Sequence, residues 1–194
     1  MIYIIRHGQT DLNVKQVLQG RSDYPLNAAG LAQAEEVAGH FRAWNITFDR
    51  VYSSPLQRAV QTANCIAKGA GLFIEERLIE MDYGPYEGMS LLDPAPEVIH
   101  FFRDFIHHPA PDGMEQLKDV VCRLGTFLEE LKSEAEGNIL LSTHAIAMKG
   151  ALEYLTPESN GSYWAKNIEN CAIYQTEVID GSFSIPKELV FADR

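Results

Sequence analysis

Ile2-Tyr3-Ile4-Ile5 constrains the fold of this chain more than any other stretch. It is a continuous apolar run, rich in β-branched residues, and it stops at Arg6. A strand with no polar face must be covered on both sides, so its sheet has to lie between two layers. Arg50-Val51-Tyr52-Ser53 and Ile139-Leu140-Leu141-Ser142 read the same way, and Leu72 to Ile74 reads as a brief strand. Helical periodicity separates these runs. Asn27 can cap a helix from about Ala28 to Trp44, with Leu31, Ala34, Val37, Ala38 and Phe41 on one face. Ser54-Pro55 supplies an N-cap and a first-turn proline for a helix from about Leu56 to Lys68, which Gly69 and Gly71 end. Glu115 to Ser133 is amphipathic, Ala145 to Tyr154 reads as a helix, Cys171 to Ile179 alternates as a strand, and Phe183 to Val190 can pair with it. The expected fold class is α/β: a three-layer α/β/α sandwich with a mainly parallel central sheet, as one domain over residues 1–194. Between Glu76 and Asp112 the periodicity weakens among prolines and glycines. That part reads as loops around one short aromatic helix, near Glu97 to Ile106, forming a small helical cap insertion over a site at about 84–115.

Charge narrows the partners. The 194 residues carry a formal net charge of −11, which argues against nucleic acid or an anionic membrane surface. No stretch approaches the roughly 20 apolar residues of a membrane span, and Arg6 ends the N-terminal apolar run too early for a signal peptide. Cys65, Cys122 and Cys171 are odd in number and form no CxxC pair. They are expected to be reduced, mostly buried thiols in a cytoplasmic protein. Nothing in the pattern sets an oligomeric state. A chain this acidic can hold an anion only by gathering its few Arg and His residues in one place.

Such a gathering is visible at the strand ends, where open α/β folds bind ligands. The first strand runs into Arg6-His7-Gly8-Gln9-Thr10, with Asn13 close behind. The second ends in Ser53-Ser54-Pro55, with Arg58 one turn on, and the fourth ends in Ser142-Thr143-His144. Two arginines, two histidines and helix N-termini compose an anion site. Arginine forks neutralise phosphate oxygens, and a neutral imidazole can attack phosphorus in line. A leaving alkoxide needs a proton, for which Glu80 is well placed and Glu87 is the competitor.

The ordered set of motifs resembles the histidine phosphatase superfamily, also called the phosphoglycerate mutase-like family. The set comprises Arg6-His7-Gly8-Gln9-Thr10 with Asn13, Gln19-Gly20, Asp23-Tyr24-Pro25-Leu26-Asn27 with Gly30 and Gln33-Ala34, and Ser53-Ser54-Pro55-Leu56 with Arg58-Ala59 and Gln61-Thr62-Ala63. It closes with Leu78-Ile79-Glu80-Met81-Asp82-Tyr83-Gly84, Glu87-Gly88 and Ser142-Thr143-His144. The resemblance implies that His7 is the phosphorylated nucleophile. It implies that Arg6, Arg58 and His144 bind the phosphoryl group, with Asn13 and backbone N–H groups, including that of Ala145, nearby. It favours Glu80 over Glu87 as proton donor and makes Gln19, Gly20, Glu80 and Tyr83 substrate contacts. No cofactor or metal is implied. Two positions depart from the pattern: Ala145 stands where many members have glycine, and Gly113-Met114-Glu115 stands where many have Gly-Glu-Ser.

The expected activity is metal-independent hydrolysis of a small phosphorylated metabolite, on the phosphatase branch. Mutases are expected to be longer and to carry several basic residues in the insertion. Here that segment offers Arg103, His100, His107 and His108 among many apolar residues, which suits packing and an uncharged leaving group. The alternatives are mutase-type phosphoryl transfer, a non-catalytic phosphate-ligand module, and a metal site built from His7, Asp11, Glu80 and His144. In that metal site Arg6 would repel the cation.

Overall fold

Alternate residues of the first strand bury in opposite directions, which is why the run is apolar throughout. The computed structural model describes residues 1–133 and 136–191. In it β1 (Ile2–Arg6) sends Ile2 and Ile4 into one core cluster, and Tyr3 and Ile5 into another. β4 (Ile139–Thr143) divides the same way, with Ile139 and Leu141 opposed to Leu140. With β2 (Arg50–Ser53), β3 (Leu72–Ile74), β5 (Ile173–Thr176) and β8 (Lys187–Leu189) they form a six-stranded sheet, ordered β3-β2-β4-β1-β5-β8. The first four in that order run parallel; β5 pairs antiparallel with β1 and β8 antiparallel with β5, so β5 runs against the other five strands of the sheet. Helices α2 (Ala28–Ala43) and α3 (Gln57–Ile66) cover the Tyr3–Ile5 face, and α5 (Leu117–Lys132) and α6 (Ala145–Leu155) cover the other. The short helices α1 (Asp11–Val14), α4 (Pro96–Arg103) and α7 (Ser162–Ala165) lie in the connections. The mixed α/β sandwich is therefore the one expected.

Two glycines set how closely the α5–α6 layer packs. A Cβ on Gly125 would lie 2.3 Å from the Tyr154 ring, and one on Gly150 would lie 2.8 Å from Val120 Cγ1. Only hydrogen fits at these crossings.

Several local expectations are corrected. Leu31 is 42% exposed, because Gly30 takes the inward position of α2 against Gln9. Helix α3 starts at Gln57 rather than at the Ser54-Pro55 step. The Ser54 hydroxyl is shared between His144 Nε2 at 2.7 Å and the Leu56 N–H at 3.3 Å, and the Asp23 carboxylate accepts from Gln57 N at 2.7 Å. The expected strand from Cys171 to Ile179 is broken. Cys171 has a positive φ, β5 ends at Thr176, and β6 (Val178–Ile179) pairs with β7 (Ser182–Phe183) in a separate ribbon. The connecting Asp180-Gly181 pair, both at positive φ, is a two-residue hairpin turn. Cys122 is exposed and Cys65 half-buried, so Cys171 is the buried thiol.

The register positions the polar strand ends. Arg6 pairs with Thr143 and Ser53 pairs with Ser142, so His7, His144 and Ser54 follow side by side at one edge of the sheet.

Candidate active site

His7 leaves β1 buried and held from behind. Its Nδ1 lies 2.7 Å from the Gly8 carbonyl, which can only accept, so Nδ1 carries the proton and Nε2 keeps its lone pair. Burial, then the charges of Arg58 and Arg6, push His7 well below the usual histidine range. His144 is likewise pushed well below that range by burial first, then by Arg58, with His7, Arg123 and Arg6 adding to it. Both rings are therefore neutral near pH 7. The loop that carries His7 is pinned by the Gly8 N–H to Thr62 Oγ1 (3.0 Å) and by Asn170 Nδ2 to the His7 carbonyl (3.0 Å).

Arg58, on the first turn of α3, is fully buried and links the two histidines. Its Nε donates at 3.2 Å both to His7 Nε2 and to His144 Nδ1. His144 in turn donates from Nε2 to Ser54 Oγ at 2.7 Å. The Arg58 Nη atoms donate to the Ser22 carbonyl (2.8 Å) and the Gly20 carbonyl (2.6 Å). Burial lowers the Arg58 guanidinium to about 10, still charged at neutral pH. Glu87 holds the loop that supplies these carbonyls: it accepts from Gly20 N at 2.9 and 3.0 Å, from Ser22 N at 3.2 Å and from the Ser22 hydroxyl.

Glu80 is 3% exposed and sits on the N-terminus of α6. Its Oε1 accepts from Met81 N (2.8 Å) and Ala147 N (2.9 Å), and Oε2 accepts from Ile146 N (3.1 Å). The Glu80 carboxyl group thus replaces a side-chain cap that His144, the N-cap residue, does not supply. Ala145 lines the cavity, and its N–H has no hydrogen-bond partner among the described residues.

A cavity of about 490 Å³ opens over these groups. Of the sequence-derived site residues, Arg6, His7, Asn13, Gln19, Glu80, Tyr83 and Ala145 line it. Arg58 and His144 lie beneath His7, fully buried, and do not reach the wall. Gly20 does not reach it either, since its backbone is committed to Arg58 and Glu87. Asp11 is exposed on α1 and does not line the cavity, and the four residues of the metal set do not form a ligand cluster among the described residues. Arg6 gives Nη1 to the Ile168 carbonyl, but among the described residues its buried Nε has no acceptor, and neither does the buried Gln19 Nε2. Such orphaned donors are costly unless a ligand meets them. Burial raises Tyr83 well above the usual phenol range, so its O–H stays a donor at the wall.

Sequence reasoning missed Lys149, Trp164 and Asn167, which line the cavity along with Leu91, Phe102, Arg103, Asp104, Phe105 and Ile106, among others. Lys149 had a signal. It is the single charged residue in the first two turns of α6, four positions after Ala145 and so on the same face.

The model for the histidine phosphatase superfamily (branch 1) matches residues 2–188. The chain belongs to this superfamily. A Hydrogenobacter thermophilus protein named "Putative phosphoserine phosphatase 2" is 33% identical over 178 residues, covering 89% of this chain and 86% of that one. A 2,3-bisphosphoglycerate-dependent phosphoglycerate mutase of Parvibaculum lavamentivorans is 27% identical over 205 residues, covering 98% and 96%. Among solved structures, a histidine-to-alanine mutant of phosphoserine phosphatase from Entamoeba histolytica, in complex with phosphoserine, superimposes with a TM-score of 0.83. It is 25% identical, with 96% of this chain and 95% of that chain covered.

Proposed function

We propose that the protein is a metal-independent phosphomonoester hydrolase that acts on a small phosphorylated metabolite through a phosphohistidine on His7. The observation that carries this reading is the state of His7: a buried neutral imidazole with an Nε2 lone pair, beside a buried Arg6 Nε that lacks an acceptor.

The ester phosphate enters against Arg6, Asn13 and the Ala145 N–H. His7 Nε2 attacks phosphorus, the N–P bond forms, and the ester P–O bond breaks opposite to it. Arg58 and His144 lie beneath Nε2 and out of the cavity, so they meet the phosphoryl group chiefly as it arrives there. Arg58 Nε exchanges its bond to Nε2 for one to a phosphoryl oxygen. Contacts made late in this way favour the transition state over the ground state. The leaving alkoxide takes its proton from Glu80. Oε2 is the oxygen with room for that proton, because it has a single N–H partner where Oε1 has two. Water then attacks the phosphohistidine, its proton returns to Glu80, and inorganic phosphate leaves with His7 regenerated.

The test is a product balance. With p-nitrophenyl phosphate, in the presence of a chelator, the protein releases p-nitrophenol and inorganic phosphate in equal amounts, and vanadate blocks it. Isomerisation of 3-phosphoglycerate faster than phosphate release would replace hydrolysis by mutase chemistry. No turnover, with ligand binding kept in His7→Ala, would leave a binding module.

A further inference from the structure

Lys149 is a buried cation that the phosphohistidine chemistry does not use. It is 9% exposed, on the cavity wall, one turn beyond Ala145 on α6. Helix geometry places it about 6 Å farther along the axis than Ala145. Its Nζ donates to the Trp164 carbonyl at 2.8 Å and lies 5.2 Å from the centre of the Phe105 ring. Neither is an anion, and Lys149 makes no ion pair among the described residues. Burial lowers it to about 8, so most of it is charged at pH 7, with Glu80 opposing and Arg6 assisting that shift. A desolvated ammonium with donors to spare, on a cavity wall, is costly unless an anion joins it. Arg103, exposed at the rim of the same cavity, also makes no ion pair among the described residues and adds charge at the entrance.

Resting on the hydrolase reading above, we propose that Lys149 is a specificity residue that binds a carboxylate on the leaving alcohol, so that the preferred substrates are phosphate esters of hydroxy acids. The expectation of an uncharged leaving group came from the insertion alone, and Lys149 lies outside it. A carboxylate suits the subsite better than a second phosphoryl group does. Lys149 offers a single ammonium beside Phe105 and Trp164, Arg6 is taken up by the ester phosphate, and Arg103 at the rim is exposed, so a second dianion would meet one buried charge where it needs two.

Matched ester pairs test this. Initial rates are measured for phosphoserine against phosphoethanolamine and for 3-phosphoglycerate against glycerol 3-phosphate, each pair differing at the carboxylate. The expected result is a kcat/KM at least tenfold higher for the acid of each pair in the unsubstituted protein. In Lys149→Met that ratio falls at least tenfold, mainly through KM, and Lys149→Arg restores part of it. Equal rates within the pairs in the unsubstituted protein overturn the proposal, and that measurement stands even if the variant fails to fold. A variant that slows both members alike, leaving the ratio unchanged, also overturns it, since that is what a merely structural lysine would do. A bisphosphate ester that outcompetes the acids and depends on Lys149 would overturn the carboxylate assignment. Failure of the hydrolase reading looks different: no ester of either kind would release phosphate.

Discussion

Arg58 Nε lies 3.2 Å from His7 Nε2, and the same N–H reaches His144 Nδ1 at an equal distance. One buried donor thus orients two neutral imidazoles, while the rest of its guanidinium is fixed by the Gly20 and Ser22 carbonyls.

Replacing Arg58 removes all four contacts. Arg58→Ala leaves two ring nitrogens and two carbonyls short of donors, at about 1–3 kcal/mol for each group that stays dry. Thermal unfolding should show a Tm lower by more than 5 °C, at about 2–4 °C per kcal/mol in a chain of this size. Arg58→Lys should recover part of the Tm but little activity, with kcat down on the order of 100-fold, because an ammonium cannot offer the Nε and Nη donors together.

The two carboxylates near the site should separate kinetically. Glu80→Gln is expected to slow alkyl esters by about 100-fold or more while sparing p-nitrophenyl phosphate, whose leaving group needs no proton. Glu87→Gln weakens the bonds to Gly20 and Ser22, and hence the seat of Arg58. It should slow activated and unactivated esters alike and lower Tm. Equal losses on both esters in Glu80→Gln would remove it from the proton-donor role.

Acid should destabilise the fold through the histidine pair. Both rings are held neutral in the folded protein, whereas an unfolded chain protonates them near pH 6.5. The unfolded state therefore binds more protons in acid, and stability falls as pH drops below about 6.5, by up to about 1.4 kcal/mol per pH unit for each ring. Above that pH this contribution is flat. Urea unfolding from about pH 7.5 to 5 checks the slope, and His7→Asn with His144→Asn should flatten it.

Gly30 tests the close approach of α2 to the His7 loop. A Cβ there would lie 2.1 Å from the Gln9 carbonyl oxygen. Gly30→Ala should cost about 1–3 kcal/mol in stability, read by chemical denaturation, and should lower kcat by moving the loop. Unchanged stability would mean that the loop yields freely.

The layers were legible because buried strands leave unbroken apolar runs. Arg50-Val51-Tyr52-Ser53 appears as strand β2 over those same residues, and Asn27 caps α2 as read. The convergence of Arg6, His7, Arg58 and His144 was legible because strand ends bring ligands together. Three features were less visible, each for a physical reason. The start of α3 shifted because Asp23, far away in sequence, takes over its capping. The break after β5 was announced by Asp180-Gly181, a hairpin signal that the longer alternation from Cys171 to Ile179 masked. Lys149 was hidden because one lysine in an apolar helix reads as a solvated tip until the fold shows which face the helix turns to the cavity.

The most direct measurement is a rapid acid-free quench during turnover, followed by peptide mapping of the phosphorylated residue. The account predicts an acid-labile, base-stable phosphoryl group on His7, formed at the rate of alcohol release and absent from His7→Ala. Phosphate release by His7→Ala at an undiminished rate, or a phosphoryl group found on another residue, would contradict it.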